Sequence, residues 1–564
     1  MRQPNIRHPL DGVVYVSEAD ASRYVASGAW LPTNAGDALR ETARRLPDKR
    51  ALISFERQLT FREWDQASER LGAALLGIGL VPGDRAIFQM GTVVETAIAL
   101  FGCFKAGIIP VCTLPQHREV EIGDLSARTD AKAHVVQADV SRFDLAGFAI
   151  GIAARQGVTR HIIVARGGGP PGTMGPPEGR PLHTMEGLIE SITDEAARQR
   201  LSSIDIGIQD VLTFQLSGGT TGLPKIIPRF HGEYLGQSHA WGTRIALSER
   251  DTSLWTLPLI HNAGQVLMLV PTVLFGSTLV LMPRMDAGVF FDWIERERVT
   301  IVTSIGPIAS YVLDYEPAAR RDFTSLRLFM TLNRAEALEA HLGITAMNMF
   351  GMTEGLLTGS APDAPADARF GTVGEPASAF DEVRLLEAGS EQQVPEGEAG
   401  ELTFRGPSMT RGYYRMPDEN ARVFTSDGFF RTGDVMKARS IGGRDFYSFE
   451  GRLKDNIDRG GEKFGAEEIE HLIARYPGVA DARVVAMPDE VYGEKACAYV
   501  IMRPGRLAPV VAELGEFLKA QGLATFKLPE RVEAIESFPV TGPGKVDKAA
   551  LRAMIAARVH AEDV

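Results

Sequence analysis

The sequence predicts an α/β fold, in which a large N-terminal domain of layered sheets and helices is followed by a small α+β C-terminal domain. Its 564 residues exceed the ~250–300 over which one hydrophobic core usually grows. Helical and strand-like segments alternate through the first half of the chain, and the composition changes near residues 451–455. We therefore expect two domains, over residues 1–453 and 454–564.

The alternation of helices and strands is clearest between residues 68 and 112. A helical stretch over 68–80 leads through a Pro-Gly-Asp turn into the apolar strand-like run 85–90. Residues 95–106 have a helical pattern, and residues 108–112 form a second apolar, strand-like run. Such βαβ units predict a largely parallel sheet covered by helices.

The longest uncharged run, residues 263–283, is about as long as a membrane span. Pro271 and the break at Phe275-Gly-Ser-Thr278 divide it, so a buried helix, a turn and a strand are the better prediction. The first residues lack the apolar segment of a signal peptide, which disfavours secretion. We expect a cytoplasmic protein without a membrane span.

The residues after 455 have the pattern of a second, smaller domain. A Gly-Gly turn at 460–461 is followed by an amphipathic helix over 466–475, a strand over 482–486 and a helix near 511–521. A segment of this length is enough for a small domain with its own core.

Charge and cysteine content exclude several classes of function. A net charge of -12 shows no basic surface for nucleic acid or an anionic membrane. Cys103, Cys112 and Cys497 are odd in number and lack CxxC spacing, which argues against disulfides and thiolate metal sites. They are expected in the core. The sequence leaves open whether the protein is a monomer or a homodimer.

The run from Ser217 to Lys225 combines hydroxyl side chains, glycines and one lysine ammonium group. It predicts a loop that holds a polyphosphate. In a P-loop the lysine directly follows a glycine and begins a helix, whereas Pro224 precedes the lysine here. Apolar, strand-like residues on both sides argue against a flexible linker. Hydroxyls and glycines can approach phosphate oxygens closely. The candidate contacts are Ser217, Gly218, Gly219, Thr220, Thr221 and Lys225.

Eight segments in a fixed order resemble the adenylate-forming superfamily of acyl-CoA synthetases, adenylation domains and luciferases. The sequence is most similar to the stand-alone aryl-acid ligases of the 2,3-dihydroxybenzoate-AMP ligase type. Each segment alone is weak, but eight in order make coincidence untenable. The segments are Ser217 to Lys225, Leu257 to Asn262, Phe350 to Gly355, Tyr413-Tyr414, Arg431 to Asp434, Gly451 to Asp455, Arg459 to Lys463 and Gly542 to Lys545.

The resemblance implies two half-reactions and the molecules that they require. A carboxylate attacks the α-phosphorus of ATP and releases pyrophosphate, and a thiol then displaces AMP to form a thioester. The implied cofactors are ATP, Mg²⁺ and a thiol, from coenzyme A or the phosphopantetheine of a carrier protein. The resemblance makes Glu354 the Mg²⁺ ligand. It adds Phe350, Thr353, Asp434 and Arg452 to the nucleotide contacts.

The small domain carries the other implied catalytic groups, and the resemblance makes this domain mobile. Lys545 would bridge the carboxylate and the α-phosphate during adenylation. Lys454 would be the pivot about which the domain rotates between the half-reactions. After rotation, Gly460 and Gly461 would line the tunnel for pantetheine.

The acid would meet a separate set of residues in the large domain. His261 would stand beside the carboxylate on the pantetheine approach, and Asn262 would meet a hydroxyl ortho to the carboxylate. Ala263, Gly351 and Leu357 would complete the wall. A salicylate-like or hydroxybenzoate-like acid is therefore the expected substrate.

Several departures from the aryl-acid pattern leave alternatives open. The run after Asn262 is shorter and less polar than in the dihydroxybenzoate enzymes, which weakens support for a second ring hydroxyl. Arg334 lies in an altered adenine segment and has no assigned role. Coenzyme A is favoured as acceptor over a separate aryl carrier protein. Two alternatives belong to other functional classes. They are a non-catalytic binding module and a luciferase-like oxidising enzyme.

Overall fold

The computed structural model describes residues 5–167, 181–217, 224–304, 308–313, 315, 321–332, 334–387, 389–453, 456–539 and 546–562. The loop residues Gly218 to Thr221, the pivot Lys454 and the catalytic candidate Lys545 lie outside these ranges. For Arg452 only the backbone is described.

The first part of the chain alternates between helices and strands, as the sequence predicts. Its elements are α1 (Glu18–Ala26), α2 (Ala35–Arg45), β1 (Arg50–Ile53), β2 (Gln58–Thr60), α3 (Phe61–Gly77), β3 (Arg85–Gln89), α4 (Val94–Ala106), β4 (Ile109–Thr113), α5 (Glu119–Thr129), β5 (Ala133–Gln137), α6 (Leu145–Gln156), β6 (His161–Ala165), β7 (Leu182–Thr184), α7 (Met185–Glu190), α8 (Asp194–Leu201) and β8 (Val211–Ser217).

The middle part continues this alternation and then becomes mainly β. Its elements are β9 (Lys225–Phe230), α9 (His231–Arg244), β10 (Thr252–Trp255), a π-helical turn (Gly264–Leu269), α10 (Val270–Phe275), β11 (Thr278–Leu281), α11 (Ala287–Arg296), β12 (Ile301–Thr303), α12 (Ile308–Leu313), β13 (Leu328–Thr331), α13 (Ala335–Leu342), β14 (Ala346–Gly351), β15 (Leu357–Gly359), α14 (Ala366–Gly371), β16 (Glu375–Pro376), β17 (Glu382–Leu386), β18 (Ala399–Arg405), α15 (Pro417–Asn420), β19 (Phe430–Ile441) and β20 (Arg444–Arg452).

The last part has the mixed pattern of the small domain. Its elements are β21 (Asn456–Arg459), β22 (Glu462–Gly465), α16 (Ala466–Ile473), β23 (Val479–Asp489), β24 (Gly493–Met502), α17 (Val511–Ala520), a 3-10 helix (Thr525–Lys527), β25 (Arg531–Ala534) and α18 (Lys548–Glu562).

Two large sheets and one smaller sheet form the N-terminal domain. One sheet has the strand order β7-β6-β5-β3-β4-β8-β9, and its pairs are parallel except for β8 with β9. The second has the order β16-β15-β14-β13-β12-β10-β11-β1-β2, and the antiparallel sheet β17-β18-β19-β20 follows. The main core includes residues from both large sheets, and every residue of α4 is buried. The predicted parallel βαβ organisation is confirmed.

Local signals explain where the observed elements differ from the expected ones. The helix expected over 68–80 begins earlier, at Phe61, because Thr60 and Glu63 form a reciprocal capping box at its start. The uncharged run 263–283 is a π-helical turn, a helix and a strand, as expected. Within the described ranges, no helix combines the length and apolar character that crossing a bilayer requires.

The C-terminal residues form a smaller domain with its own core. The sheet β22-β21-β24-β23, with β25 beside β24, packs against α16 and α17. Ile457, Ile469, Val484 and Leu518 are buried in that core. The α/β fold with a large and a small domain is confirmed, whereas the exact boundary at 453/454 stays a prediction. The three cysteines are free and buried, as expected.

Candidate active site

A cavity of about 1240 Å³ lies between the large and the small domain. Its wall includes residues of both large-domain sheets and of the small-domain segments near 460, 490 and 526. The structure brings together at this cavity the predicted site residues whose side chains are described. They are Ser217, Lys225, His261, Asn262, Ala263, Phe350, Gly351, Thr353, Glu354, Leu357, Asp434, Gly460 and Gly461.

The predicted polyphosphate loop connects the antiparallel strands β8 and β9. Ser217 ends β8 and pairs directly with Lys225, which begins β9. Both therefore stand at the base of the loop, as the strand-like flanks predicted. The Lys225 side chain is buried, its ammonium pairs with the Glu419 carboxylate, and it lies 4.5 Å from the centroid of the Tyr413 ring. This cation is thus held in place at the cavity wall.

Glu354 lies in the turn between β14 and β15. The Gly355 amide donates to the Met352 carbonyl at 3.1 Å, which closes the turn. The Tyr413 hydroxyl donates to Oε1 of Glu354 at 3.0 Å and orients the carboxylate. Burial, reinforced by the Glu354 charge, raises the pKa of Tyr413 well above its usual value, so the phenol keeps its proton.

A fully buried arginine supports this turn from behind. Arg229 donates from Nη1 to the Thr353 carbonyl at 2.7 Å. It also donates from Nη2 to the amide oxygen Oε1 of Gln237 at 2.7 Å. It also pairs with the Glu233 carboxylate, and Gln237 donates to the Gly355 carbonyl. The motif segments did not identify this support; its sequence signal is a basic residue in an apolar strand, followed by a carboxylate four positions later.

The proposed adenine and ribose contacts lie on two neighbouring parts of the wall. The Phe350 ring stacks on the partly exposed Phe449 ring, with centroids 6.0 Å apart. Asp434 is buried in β19, and its backbone is paired with that of Arg452 on β20. The two residues therefore stand at one register position of the β19–β20 pair.

The end of the cavity around Asn262 is lined mainly by apolar groups. The Tyr234 hydroxyl donates to Oδ1 of the buried Asn262 at 2.9 Å. This bond makes the oxygen an acceptor within the protein and leaves the amide N–H₂ as the donor for a ligand. Burial raises the pKa of Tyr234 well above its usual value, so the hydroxyl remains a donor.

His261 and Leu357 shape the wall next to Asn262. Nδ1 of His261 accepts from the Ala263 amide at 3.2 Å, so the neutral ring carries its proton on Nε2. A Cβ at Gly351 would stand 2.6 Å from a methyl group of Leu357, so the glycine makes room for that side chain. The leucine and Ala263 thus line one cavity, as expected.

Cys112 adds a polar group to this end of the cavity that the sequence assigned only to the core. Its sulfur lies 3.0 Å from the Thr213 hydroxyl and accepts from the Gln265 amide at 3.3 Å. Burial raises the pKa of the thiol to about 11, so it is protonated at neutral pH. The group is inert rather than nucleophilic.

Arg334, which the sequence left without a role, reaches from the large domain to the small one. Its guanidinium donates to the Glu490 carbonyl at 3.2 Å.

The described residues contain no cluster of three or more His, Cys, Asp or Glu side chains placed to hold a metal ion. Glu354 is one of several carboxylates at the cavity wall and belongs to no such cluster.

Comparison with known proteins assigns both parts of the chain. Residues 39–414 match the family model described as AMP-binding enzyme, and residues 468–545 match the model described as AMP-binding enzyme C-terminal domain. The solved structure titled Mycobacterium smegmatis MbtA apo structure is similar over 96% of this chain and 98% of that chain, at 30% identity and a TM-score of 0.71.

Curated relatives are similar over nearly their whole length. Pyochelin synthase PchD of Pseudomonas aeruginosa (strain UCBPP-PA14) is 38% identical, covering 94% of both chains. The 2,3-dihydroxybenzoate-AMP ligase of Bacillus subtilis (strain 168) is 35% identical, covering 96% of this chain and 97% of that protein. Salicylyl-CoA synthase / salicylate adenylyltransferase of a Streptomyces species is 34% identical, covering 97% and 98%.

Proposed function

The chain belongs to the family of AMP-binding enzymes and is an AMP-forming ligase, and from this premise we propose that it joins an ortho-hydroxylated aryl acid to coenzyme A through an aryl-AMP. The observation that carries the proposal is the single cavity that gathers the described nucleotide, acid and thiol residues between the two domains. A reaction with three reactants needs such convergence, because proximity and orientation lower its barrier.

The nucleotide would lie along the wall formed by β8, β9, β14 and β19. Ser217 and Lys225 stand at the base of the loop that would surround the phosphates, and Asp434 faces the same cavity. We assign Gly218, Gly219, Thr220 and Thr221 to the same phosphates on the resemblance of the loop. Phe350 would pack on the adenine and Asp434 would accept from the ribose hydroxyls.

Glu354 fits a magnesium ion carried in with the triphosphate. Its carboxylate is a hard oxygen donor, it lines the cavity, and Tyr413 fixes its orientation through a hydrogen bond of 3.0 Å. When bound, magnesium would offset the charge of the phosphates during transfer. The ion would keep mainly phosphate and water ligands, as magnesium usually does when it is bound through one or two carboxylates and substrate phosphates.

The acid would bind with its ring in the apolar end and its carboxylate toward His261. Asn262 would donate to the oxygen of an ortho hydroxyl, because Tyr234 already occupies its carbonyl oxygen. The names of two relatives support this choice, since 2,3-dihydroxybenzoate and salicylate both carry a hydroxyl ortho to the carboxylate. His261 lines the cavity beside Asn262, so its ring would stand next to the carboxylate.

The two steps would use different faces of the small domain. In the first, a carboxylate oxygen bonds to the α-phosphorus and the bond to pyrophosphate breaks; we assign the charge stabilisation to Lys545 by resemblance. In the second, the thiol sulfur bonds to the acyl carbon, the bond to AMP breaks, and the thiol proton is released. Gly460 and Gly461 line the cavity, which suits a narrow passage for the thiol.

Coenzyme A is our first candidate for the acceptor, because the name of one relative states an aryl-CoA product. A pantetheine arm on a separate carrier protein is the second candidate, since another relative is named for its adenylate alone. Both supply the same thiol on the same flexible arm, so the cavity serves either.

The decisive experiment is pyrophosphate exchange with salicylate, benzoate, anthranilate, 2,3-dihydroxybenzoate and five-membered heteroaryl acids, followed by addition of coenzyme A to the best acid. We expect AMP and pyrophosphate as products, exchange that is strongest with ortho-hydroxylated acids, and an aryl-CoA thioester. Release of ADP or phosphate would reject the adenylating function. Adenylation without an aryl-CoA product would move the acceptor to a carrier protein.

A further inference from the structure

A buried ion pair joins the two domains at the edge of the cavity. Nζ of Lys527, in the 3-10 helix of the small domain, lies 2.9 Å from Oε1 of Glu121 in the first turn of α5. The two side chains are only 5% and 0% exposed. Charged residues are almost never this deeply buried unless they are paired.

Aromatic packing surrounds this pair on the small-domain side. The Phe526 ring packs against residues of the large-domain core and also against those of the small-domain core. Its centroid lies 6.0 Å from the His117 ring of the large domain and 6.0 Å from the Phe464 ring of the small domain. The Lys527–Glu121 pair therefore lies within a continuous interdomain contact.

The interdomain contact of Phe526 and Lys527 occurs in an arrangement of the domains in which Gly460 and Gly461 face the cavity. His117, Phe526 and Lys527 line the same cavity as Gly460 and Gly461. At another point of the interface, Arg334 donates to the Glu490 carbonyl. Residues near 120 and near 334 thus both hold the small domain over the cavity.

A buried ion pair contributes more to the choice of an arrangement than to stability. Burial acts to raise the pKa of Glu121, but the Lys527 ammonium, with smaller contributions from His117 and the Arg118 amide, outweighs it and lowers the pKa. Removal from water offsets most of the attraction within such a pair, whereas loss of one partner leaves an uncompensated buried charge. Movement of the small domain away from α5 separates the two charges.

We propose that Glu121 and Lys527 form an interdomain latch that selects the arrangement with Gly460 and Gly461 at the cavity, and that they are positioning residues for thioester formation. The latch rests on the proposed two-step function, because only a second step with its own arrangement gives the selection a consequence. Adenylation does not require the latch.

The test compares Lys527→Met and Glu121→Gln with the neutral double variant. In wild type the Arg118 amide donates to Oε2 of Glu121 at 2.9 Å and so caps the start of α5. Glutamine retains an oxygen that can accept this bond, so the helix keeps its cap. The matched control is Lys519→Met, which breaks an exposed pair with Glu516 within α17. Each variant is assayed for pyrophosphate exchange and for thioester formation from supplied aryl-AMP and coenzyme A.

We expect each single latch variant to slow thioester formation at least tenfold while pyrophosphate exchange changes less than threefold. The double variant should be closer to wild type than either single variant, because it removes both charges of the pair. The control should match wild type in both assays. Equal losses in both half-reactions, or single-variant effects that multiply in the double variant, would overturn the latch.

Amide hydrogen exchange without substrates separates the latch from the proposed function. We expect faster exchange over residues 117–122 and 524–528 in each single latch variant, and no change there in the control. Unchanged exchange in both latch variants would reject the latch whatever the activity. If wild type adenylates no aryl acid, the proposed function fails and the positioning role with it, while exchange still reports on the contact itself.

Discussion

At the scale of single residues, four neighbouring side chains contact one another at the end of the cavity that we assign to the nucleotide. The Lys225 ammonium is paired with Glu419 and lies over the Tyr413 ring, whose hydroxyl donates to Glu354. The groups orient one another before any ligand arrives, so little side-chain entropy is left to lose on binding. A triphosphate would compete with Glu419 for Lys225.

Asn262 is the residue that should decide the choice of acid. In wild type we expect kcat/KM for salicylate to exceed that for benzoate by at least about tenfold, because a buried amide without a partner costs ~1–3 kcal/mol. The Asn262→Ala variant should bring the ratio close to one, since no amide is left unpaired. Pyrophosphate exchange with the two acids measures both ratios.

The matched control for this prediction is Tyr234→Phe. It retains the Asn262 amide and removes only the hydroxyl that holds Oδ1. An intermediate preference is expected, because the amide is present but less firmly oriented. Equal kcat/KM values for both acids in wild type would remove Asn262 from this role.

At the scale of elements, two hairpin connections bring the phosphate and metal candidates together. β8 and β9 place Ser217 opposite Lys225, and β14 and β15 carry Glu354 between them. Arg229 of β9 binds the Thr353 carbonyl and so links the two hairpins through a buried charge. Each hairpin is local, but their relative position depends on this contact.

Gly355 should be essential for the geometry of the β14–β15 turn. Its φ is +131°, and a Cβ there would stand 1.7 Å from the Ser408 carbonyl oxygen. Gly355→Ala should therefore lower the free energy of unfolding by more than ~3 kcal/mol, since backbone strain of ~1–3 kcal/mol is joined by a clash with backbone. Chemical denaturation of the purified variant measures this loss.

Gly389→Ala serves as the control for the turn. Gly389 also has a positive φ, of +74°, but a Cβ there would meet no atom within 4 Å. Only the conformational strain remains, so a loss of ~1–2 kcal/mol is expected. Losses of similar size in the two alanine variants would show that the contact with Ser408 is unimportant.

At the scale of the whole molecule, the cavity exists because two separately folded bodies meet. The large domain supplies the walls that we assign to the nucleotide and to the acid, and the small domain covers them with the segments near 460, 490 and 526. The Leu453 amide still donates to the Gly433 carbonyl of the large domain at 2.7 Å, and β21 of the small domain begins at Asn456. We therefore place the pivot of the proposed rotation after Leu453.

Lys454→Pro tests whether the small domain rotates during the reaction. Proline limits its own φ and restricts the preceding residue, so the small domain should change its arrangement less readily. We expect thioester formation to fall at least tenfold and more than pyrophosphate exchange, because the adenylate forms before the rotation and the thiol enters after it. Parallel single-turnover assays of the two steps give the comparison.

Equal changes in both steps for Lys454→Pro would contradict alternation of the domains, and so would unchanged kinetics. A Lys454→Ala variant is the control, because it removes the side chain and leaves the backbone free. Near wild-type behaviour of that variant would assign the effect to the backbone.

Most elements and many of the residues that line the cavity could be predicted because their signals are local. Alternating apolar patterns predicted β3, α4 and β4 to within a few residues, and a hydroxyl-rich loop between two strands identified the position of Ser217 and Lys225. The residues that support the site carry weaker signals. Glu419 stands in an ordinary polar helix start, and its pairing with Lys225 depends on a contact between residues 194 positions apart.

The sequence by itself determined the α/β class, the two-domain organisation and the chemical types at the site, because periodicity and the order of short motifs depend on near neighbours in the chain. Only the tertiary structure decided that Tyr413 orients Glu354 and that the Tyr234 hydroxyl donates to the side-chain oxygen Oδ1 of Asn262. It also decided that Lys527 pairs with Glu121 across the domains. Each of these contacts joins residues at least 28 positions apart in the chain, and their burial arises only when the chain has folded.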